Sequence, residues 1–378
     1  MLNGNGRKAE KLERVSCNLC GARQDLPVYR KVFYEVEYHI GKCAVCGLVY
    51  VNPRHFATEG DDYFRGPYLS TIEENGKLRS NIALIYDQVM RHIDAYLYPG
   101  RLLDVGCAMG HFMQFARARG WEATGVECSP YAAAWAREHF AGRTHAVCDL
   151  SAARFPSAHA DAAVLIEVIE HLPNPRVTLA EVLRILKPGG IIYVTTPNFE
   201  CYRSLLLREE WEPIIPTGHL YYFTSRTLGA LLRSVGFTGV VDLGKPSSFE
   251  EDLEFARSTG KLRLEDHALD DLWRRLCAED ASKISNGRGE GLTFCAQKPL
   301  SGPGMPASRR TSAQNLEAMQ GRVVQAFGPE SRIYYVNDGA RHWVTSTDWI
   351  TRRGMRFPED IVNVPLEEIR SIPEGPPV

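Results

Sequence analysis

The chain has 378 residues, a formal net charge of −2 and 24% charged residues. This near-neutral balance, with a sequence isoelectric point near 6.6, argues against nucleic acid or an anionic membrane as the main partner. No apolar run reaches the ~20 residues of a membrane span. The polar first residues, 1–14, lack the apolar core of a secretory signal; together these place the protein in the cytoplasm.

The length predicts two or three folded units. Residues 1–14 read as a disordered tail. Two knuckles follow, Cys17-Asn18-Leu19-Cys20-Gly21 and Cys43-Ala44-Val45-Cys46-Gly47, enclosing a stretch rich in Tyr, Val and Phe. Doubled C-x-x-C-G is the pattern of a zinc ribbon, so 15–54 is predicted to close Cys17, Cys20, Cys43 and Cys46 around a structural zinc ion. Such a site has no open position for water, and folding of the segment is linked to the metal. The other six cysteines (Cys107, Cys128, Cys148, Cys201, Cys277, Cys295) read as small buried fillers of a reduced protein.

Residues 55–98 are predicted to be a helical connector. Ile82, Ile85, Val89, Ile93 and Tyr96 recur at helical spacing. Tyr63, Phe64 and Tyr68 precede them, as part of a lid or as cement between ribbon and core. From 99 to 298 strands and helices alternate. Strands are expected at 101–105, 122–126, 144–148, 161–166, 190–195, 237–243 and 291–297. Helices are expected at 110–119, 130–140, 175–186 and 227–235, with an irregular helical region over 252–284. Alternation of this kind predicts an α/β, doubly wound, mostly parallel seven-stranded sheet covered on both faces. Lys187-Pro188-Gly189-Gly190 is expected to end one helix and turn the chain into the next strand. Residues 299–319 have linker composition. Residues 320–378 read as a small α+β module, with a hairpin turn at Asn337-Asp338-Gly339 and a short helix near Thr347. Its Tyr334, Tyr335, Trp343 and Trp349 either form its own core or offer a surface to a sugar or protein partner.

The loop from Asp104 to Gly110 decides what the sheet binds. It is not the dinucleotide pattern G-x-G-x-x-G, because an acid stands two residues before the first glycine. A carboxylate there repels a pyrophosphate and attracts a cation. Glu127, ending the second strand, can accept two hydrogen bonds from a ribose diol. Asp149, after the third strand, can accept from an adenine amine while Leu150 packs on the ring.

Taken together, D-V-G-C-x-x-G (104–110), E-V-I-E-H-L (167–172), K-P-G-G (187–190) and G-H-L-Y-Y-F-T (218–224) resemble a class I S-adenosylmethionine-dependent methyltransferase. The resemblance covers about 80–298, and several members of the group carry a four-cysteine zinc segment like 17–46. It implies a Rossmann-like methyltransferase fold with S-adenosylmethionine as cofactor. Asp104, Gly106, Cys107 and Gly110 would hold its methionine end, Glu127 the ribose, Asp149 and Leu150 the adenine, with Glu167 beside them. Ala108 departs from a frequent glycine, tolerable if its φ is negative.

Methyl transfer is an in-line displacement governed by positioning, with a base required only if the acceptor must lose a proton. His171 and His219 are the two candidate bases. In the sugar C-methyltransferases that this chain resembles, a histidine at the second place acts with a preceding Tyr and Glu. Here those places hold Pro216 and Gly218, which weakens sugar C-methylation and leaves O-methylation more open; the expected acceptor is a small molecule or sugar-linked metabolite, methylated on oxygen or carbon. The competing readings are a non-catalytic cofactor-binding scaffold and a nucleotide-sugar or nicotinamide enzyme on a similar fold.

Overall fold

The structure is a computed structural model. It describes residues 12–33, 35–54, 68, 72–74, 77–97, 99–140, 143–244, 247–278, 288–299, 322–327, 333–337, 340–344, 361–365, 369 and 372–375. Most of the tail, Tyr63, Phe64, nearly all of the linker, the centre of the 337–339 turn, the helix near Thr347 and Trp349 lie outside the described residues.

Seven strands form the central sheet in the order Thr238–Asp242, Gly291–Gln297, Leu186–Pro197, Ala160–Ile166, Arg101–Val105, Glu122–Glu127, Arg143–Ala146. All neighbours run parallel except Gly291–Gln297, which is antiparallel to both of its partners. The parallel strands are continuous apolar runs because helices cover both faces: Leu102, Leu103, Ala162, Ala163, Val164 and Leu165 are all buried. Strand order reverses between Arg101–Val105 and Ala160–Ile166. In such sheets the crevice at that reversal, at the carboxyl ends of the strands, is where ligands bind.

The flanking helices carry their own start signals. The Asn174 side chain accepts from the Val177 N–H and Pro175 opens the helix Pro175–Ile185. Thr224 and Thr227 form a reciprocal cap on Ser225–Val235, which ends at Gly236 with φ 117°. The region expected to be irregularly helical resolves into Phe249–Ser258 and Asp266–Ala278. The K-P-G-G motif is placed differently from its sequence reading. The helix ends at Ile185, and the motif lies inside the long strand Leu186–Pro197, at a register break between Leu186 and Ile191. A Cβ on Gly190 would stand 2.8 Å from the Asp161 carbonyl oxygen, so the neighbouring strand sets the need for glycine.

The cysteine-bearing segment is built into this domain through a second sheet. Asp25–Phe33, Val36–Cys43 and Val49–Val51 pair antiparallel, and the fourth strand is Tyr221–Tyr222 from the central domain, with Tyr221 opposite Tyr50. Cys17, Cys43, Leu48 and Tyr50 share one apolar cluster with Leu165, Val194, Tyr221 and Phe223. The first knuckle grips the start of the helix Pro175–Ile185: Asn18 Oδ1 accepts from the Arg176 N–H at 2.9 Å. The Arg176 guanidinium donates to the Asn18 and Leu19 carbonyls. Arg226 donates to the Cys46 carbonyl at 2.7 Å. Buried Arg54 donates to the Tyr221 hydroxyl and the Pro173 carbonyl, both at 3.0 Å.

A third sheet holds Ala340–Trp343, Ile333–Asn337, Arg322–Phe327 and Ile361–Pro365 in that order, the last pair parallel. Among the described residues, no helix is long and apolar enough to cross a membrane.

Arg54 satisfies two acceptors with one buried charge, so Arg54→Ala is expected to lower the unfolding free energy by about 2–3 kcal/mol. Urea denaturation checks this; an unchanged midpoint refutes it.

Candidate active site

The glycine loop sits at the crevice, held by its own backbone. The N–H groups of Gly106 and Cys107 donate to the Val126 carbonyl at 2.8 and 3.1 Å. This ties the first strand's end to the second's. Gly106 has φ 75°, and a Cβ on it would meet Val168 Cγ2 at 2.5 Å. Gly110, at φ 83°, caps the helix His111–Arg117. Ala108 also has positive φ, 46°. The negative φ that would make alanine easy here is therefore not the one adopted, and the loop carries left-handed strain at a side-chain-bearing residue.

Two carboxylates flank the loop. Asp104 is 2% exposed, and burial, then the charge of Glu127, hold its carboxyl up at about 8. Glu127 is fixed at its strand end: Oε2 accepts from the Ala108 N–H and Oε1 from the Ser129 N–H, each at 2.8 Å. A carboxylate held this way presents two acceptor oxygens, the chemistry that a vicinal diol requires. Burial pushes the Cys107 thiol well up, so it lines the loop as a neutral group. Asp149 is exposed and accepts from the Ser151 N–H at 2.9 Å, capping the turn Leu150–Ala153; Leu150 is buried. Glu167 follows the fourth strand with φ 52° and an exposed side chain, and its N–H donates to Thr195 Oγ1 at 3.1 Å.

The structure brings His171 and His219 together, their rings edge-on with centroids 4.7 Å apart. The device is the Glu170 carbonyl, which accepts from the N–H groups of Leu220 and Tyr221 at 2.8 and 3.2 Å. His171 Nδ1 donates to the Gly218 carbonyl at 3.2 Å, and the His219 ring hydrogen-bonds to the Pro213 backbone. Burial, then His171, push His219 down to about 3, so its imidazole is neutral. Glu170 itself, 1% exposed, accepts from Thr196 Oγ1 at 2.9 Å. Thr196 carries no sequence signal for this role; only the pairing of two strands places it there.

Away from the crevice, the four knuckle cysteines converge. Cys17 and Cys46 Sγ are 3.4 Å apart, Cys20 and Cys43 Sγ 3.5 Å, and all four lie within 4.8 Å of one another. A tetrahedral ion with bonds of about 2.3 Å separates its sulfurs by about 3.8 Å, so the donor set fits zinc. The knuckles repeat one geometry: Gly21 and Gly47 have φ 78° and 77°, and their N–H groups donate back to Cys17 and Cys43. Two of the remaining cysteines depart from their sequence reading. Cys128 and Cys148 are not buried fillers but form a disulfide between the ends of adjacent strands, next to Glu127 and Asp149. Cys107, Cys201 and Cys295 are buried and free, as expected.

Relieving the strained loop residue has a predictable sign. Ala108→Gly is expected to raise stability by about 0.5–1 kcal/mol, the left-handed penalty less the added freedom of the unfolded chain. Thermal unfolding decides it; a lower midpoint contradicts the strain.

Comparison with known proteins places this geometry. Residues 78–242 match the family model described as a methyltransferase domain. The chain is similar to the ubiquinone biosynthesis O-methyltransferase of Aromatoleum aromaticum, 32% identical over 118 residues, covering 29% of this chain and 50% of that protein. It is also similar to the malonyl-[acyl-carrier protein] O-methyltransferase of Serratia marcescens, 31% identical over 131 residues, covering 34% and 51%. The chain thus spans about half the length of the curated relatives it matches. Among solved structures, a phosphoethanolamine N-methyltransferase of Haemonchus contortus aligns over 72% of each chain at 18% identity with TM-score 0.45. With the family match, the strand order and the acid-flanked glycine loop in agreement, the domain over residues 78–242 is a class I S-adenosylmethionine-dependent methyltransferase.

Proposed function

We propose that this chain transfers the methyl group of S-adenosylmethionine to a hydroxyl oxygen of a small-molecule or sugar-linked acceptor. The observation that carries the reading is the pair of buried carboxylates, Asp104 and Glu127, on either side of the loop with Gly106 and Gly110. The cofactor supplies an activated methyl on a sulfonium cation. Asp104 lies buried where a cation would offset its desolvation, and Gly106, Cys107 and Gly110 shape the loop around the methionine end. Glu127 accepts from the ribose diol. Asp149 and Leu150 flank the adenine, and Glu167 borders the acceptor side. His171 and His219 face the acceptor and activate its hydroxyl. The absence of Tyr and Glu before His219, where Pro216 and Gly218 stand, supports oxygen rather than carbon as the methylated atom. So do the O-methyltransferases to which the domain is similar.

Cys17, Cys20, Cys43 and Cys46 would hold a zinc ion whose role is to fold residues 15–54 as a unit docked on the methyltransferase domain at 99–298. Residues 55–98 connect them, and the module at 320–378 follows a linker at 299–319 and offers a surface to a protein or sugar partner.

Two measurements test this. Calorimetric titration with S-adenosylmethionine is expected to give micromolar binding in the wild type and at least about a hundredfold weaker binding in Asp104→Ala. Below pH 8 the free Asp104 carboxyl carries its proton, and a bound cation favours the ionised form. Binding therefore expels a proton, and affinity rises with pH by up to about tenfold per unit between pH 6 and 7.5. Folded, zinc-replete protein that fails to bind the cofactor would sink the reading. Separately, stripping the metal with a chelator is expected to lower the thermal midpoint of the whole protein. A change confined to the knuckles would contradict the docking.

A further inference from the structure

We propose that Glu170, His171 and His219 hold a catalytic divalent metal ion, separate from the four-cysteine site; its catalytic role rests on the methyltransferase reading above. The three residues come from two segments, the end of the fourth strand and the loop before Tyr221, and one ligand atom from each lies within 4.8 Å of the others.

The hydrogen bonds around the cluster set the direction of the lone pairs. A carbonyl can only accept, so His171 Nδ1, 3.2 Å from the Gly218 oxygen, carries a proton. In the neutral ring, Nε2 is then an acceptor, and it faces the Glu170 Oε1 acceptor at 3.9 Å. Two bonds of about 2.1 Å to a shared cation span that gap. His219 is anchored in the same way, on the Pro213 backbone, which leaves its other nitrogen as donor to the same point. The second carboxylate oxygen of Glu170 accepts from Thr196 Oγ1 at 2.9 Å. Every ligand is thus oriented by a partner on its far side, two of them by backbone carbonyls, as metal-binding imidazoles and carboxylates are.

Two imidazoles and one carboxylate suit zinc, manganese, iron(II) or cobalt(II) better than magnesium or calcium. Three protein ligands leave positions open for an acceptor oxygen. Glu170 is 1% exposed, whereas His171 retains 29% side-chain exposure. The open positions therefore lie on the imidazole side. There the ion would lower the pKa of the acceptor hydroxyl, which loses its proton to solvent. The oxygen lone pair forms the new C–O bond as the C–S bond breaks, and the electron pair of that bond stays on sulfur, which leaves as the neutral thioether.

The test uses the full chain with its knuckles loaded with zinc, titrated with Mn²⁺ and followed by electron paramagnetic resonance of free Mn²⁺. The expected result is one further equivalent bound in the wild type. His219→Ala should weaken it at least about a hundredfold and Thr196→Val about tenfold to a hundredfold. Thr196→Val is nearly isosteric, so it still reports on the site if the histidine variant fails to fold. Overturning results are no bound equivalent, or unchanged affinity in both folded variants. S-adenosylmethionine binding is measured on the same samples. Cofactor binding without Mn²⁺ uptake refutes the metal site and leaves the methyltransferase reading standing. Mn²⁺ uptake without cofactor binding refutes the methyltransferase reading, while the site itself stands.

Discussion

One carbonyl oxygen holds the crevice together. Glu170 O accepts two backbone N–H groups, from Leu220 and Tyr221, at the end of the fourth strand. Each bond contributes only about 1 kcal/mol net, but breaking them would strand buried polar groups at greater cost. The pair fixes the loop that carries His219 against the strand end that carries His171. It also lays Tyr221 and Tyr222 along the edge Val49–Val51, where they complete the N-terminal sheet. The cysteine segment and the crevice are thus positioned by the same few backbone bonds.

Charge organises the other side of the crevice. Asp104 and Glu127 end adjacent strands with little water around them, a costly arrangement for an empty protein and a favourable one for a cation and a diol. Glu127 offsets part of its cost through the N–H groups of Ala108 and Ser129. The first of these comes from Ala108, the residue that also adopts positive φ. Local strain and ligand-binding geometry are one feature here, as is common where a backbone must present its amides inward.

Much of the sheet was legible in the sequence because strands such as Arg101–Val105 and Ala160–Ile166 are short apolar runs followed by glycine or an acid. The expected strands at 101–105 and 291–297 coincide with those observed. The four cysteines were legible from spacing alone, and they converge. What escaped sequence reading depends on distant partners. A two-residue strand at Tyr221–Tyr222 has no periodicity of its own and exists because Val49 and Tyr50 stand opposite. The Cys128–Cys148 disulfide requires two strand ends to be neighbours, which neither cysteine's surroundings disclose. The K-P-G-G motif looks like a helix stop; the contact with Asp161 makes it a bulge inside a strand. His171 was visible as a histidine after the fourth strand and His219 as one in the later loop before Tyr221, but the edge-on contact between them was not.

The shared sheet also orders events in time. Tyr50 and its partner Tyr221 are 171 positions apart. At ribosomal speeds of roughly 5–20 residues per second, about ten to thirty seconds separate their synthesis. Through that interval the edge Val49–Val51 has no strand to pair with, so the nascent N-terminal segment presents an open hydrogen-bonding template. A metal ion taken up early by the four thiolates would hold that segment compact while it waits. Were zinc that ion, its supply during translation, rather than after it, would be what keeps this chain from joining its neighbours on the polysome.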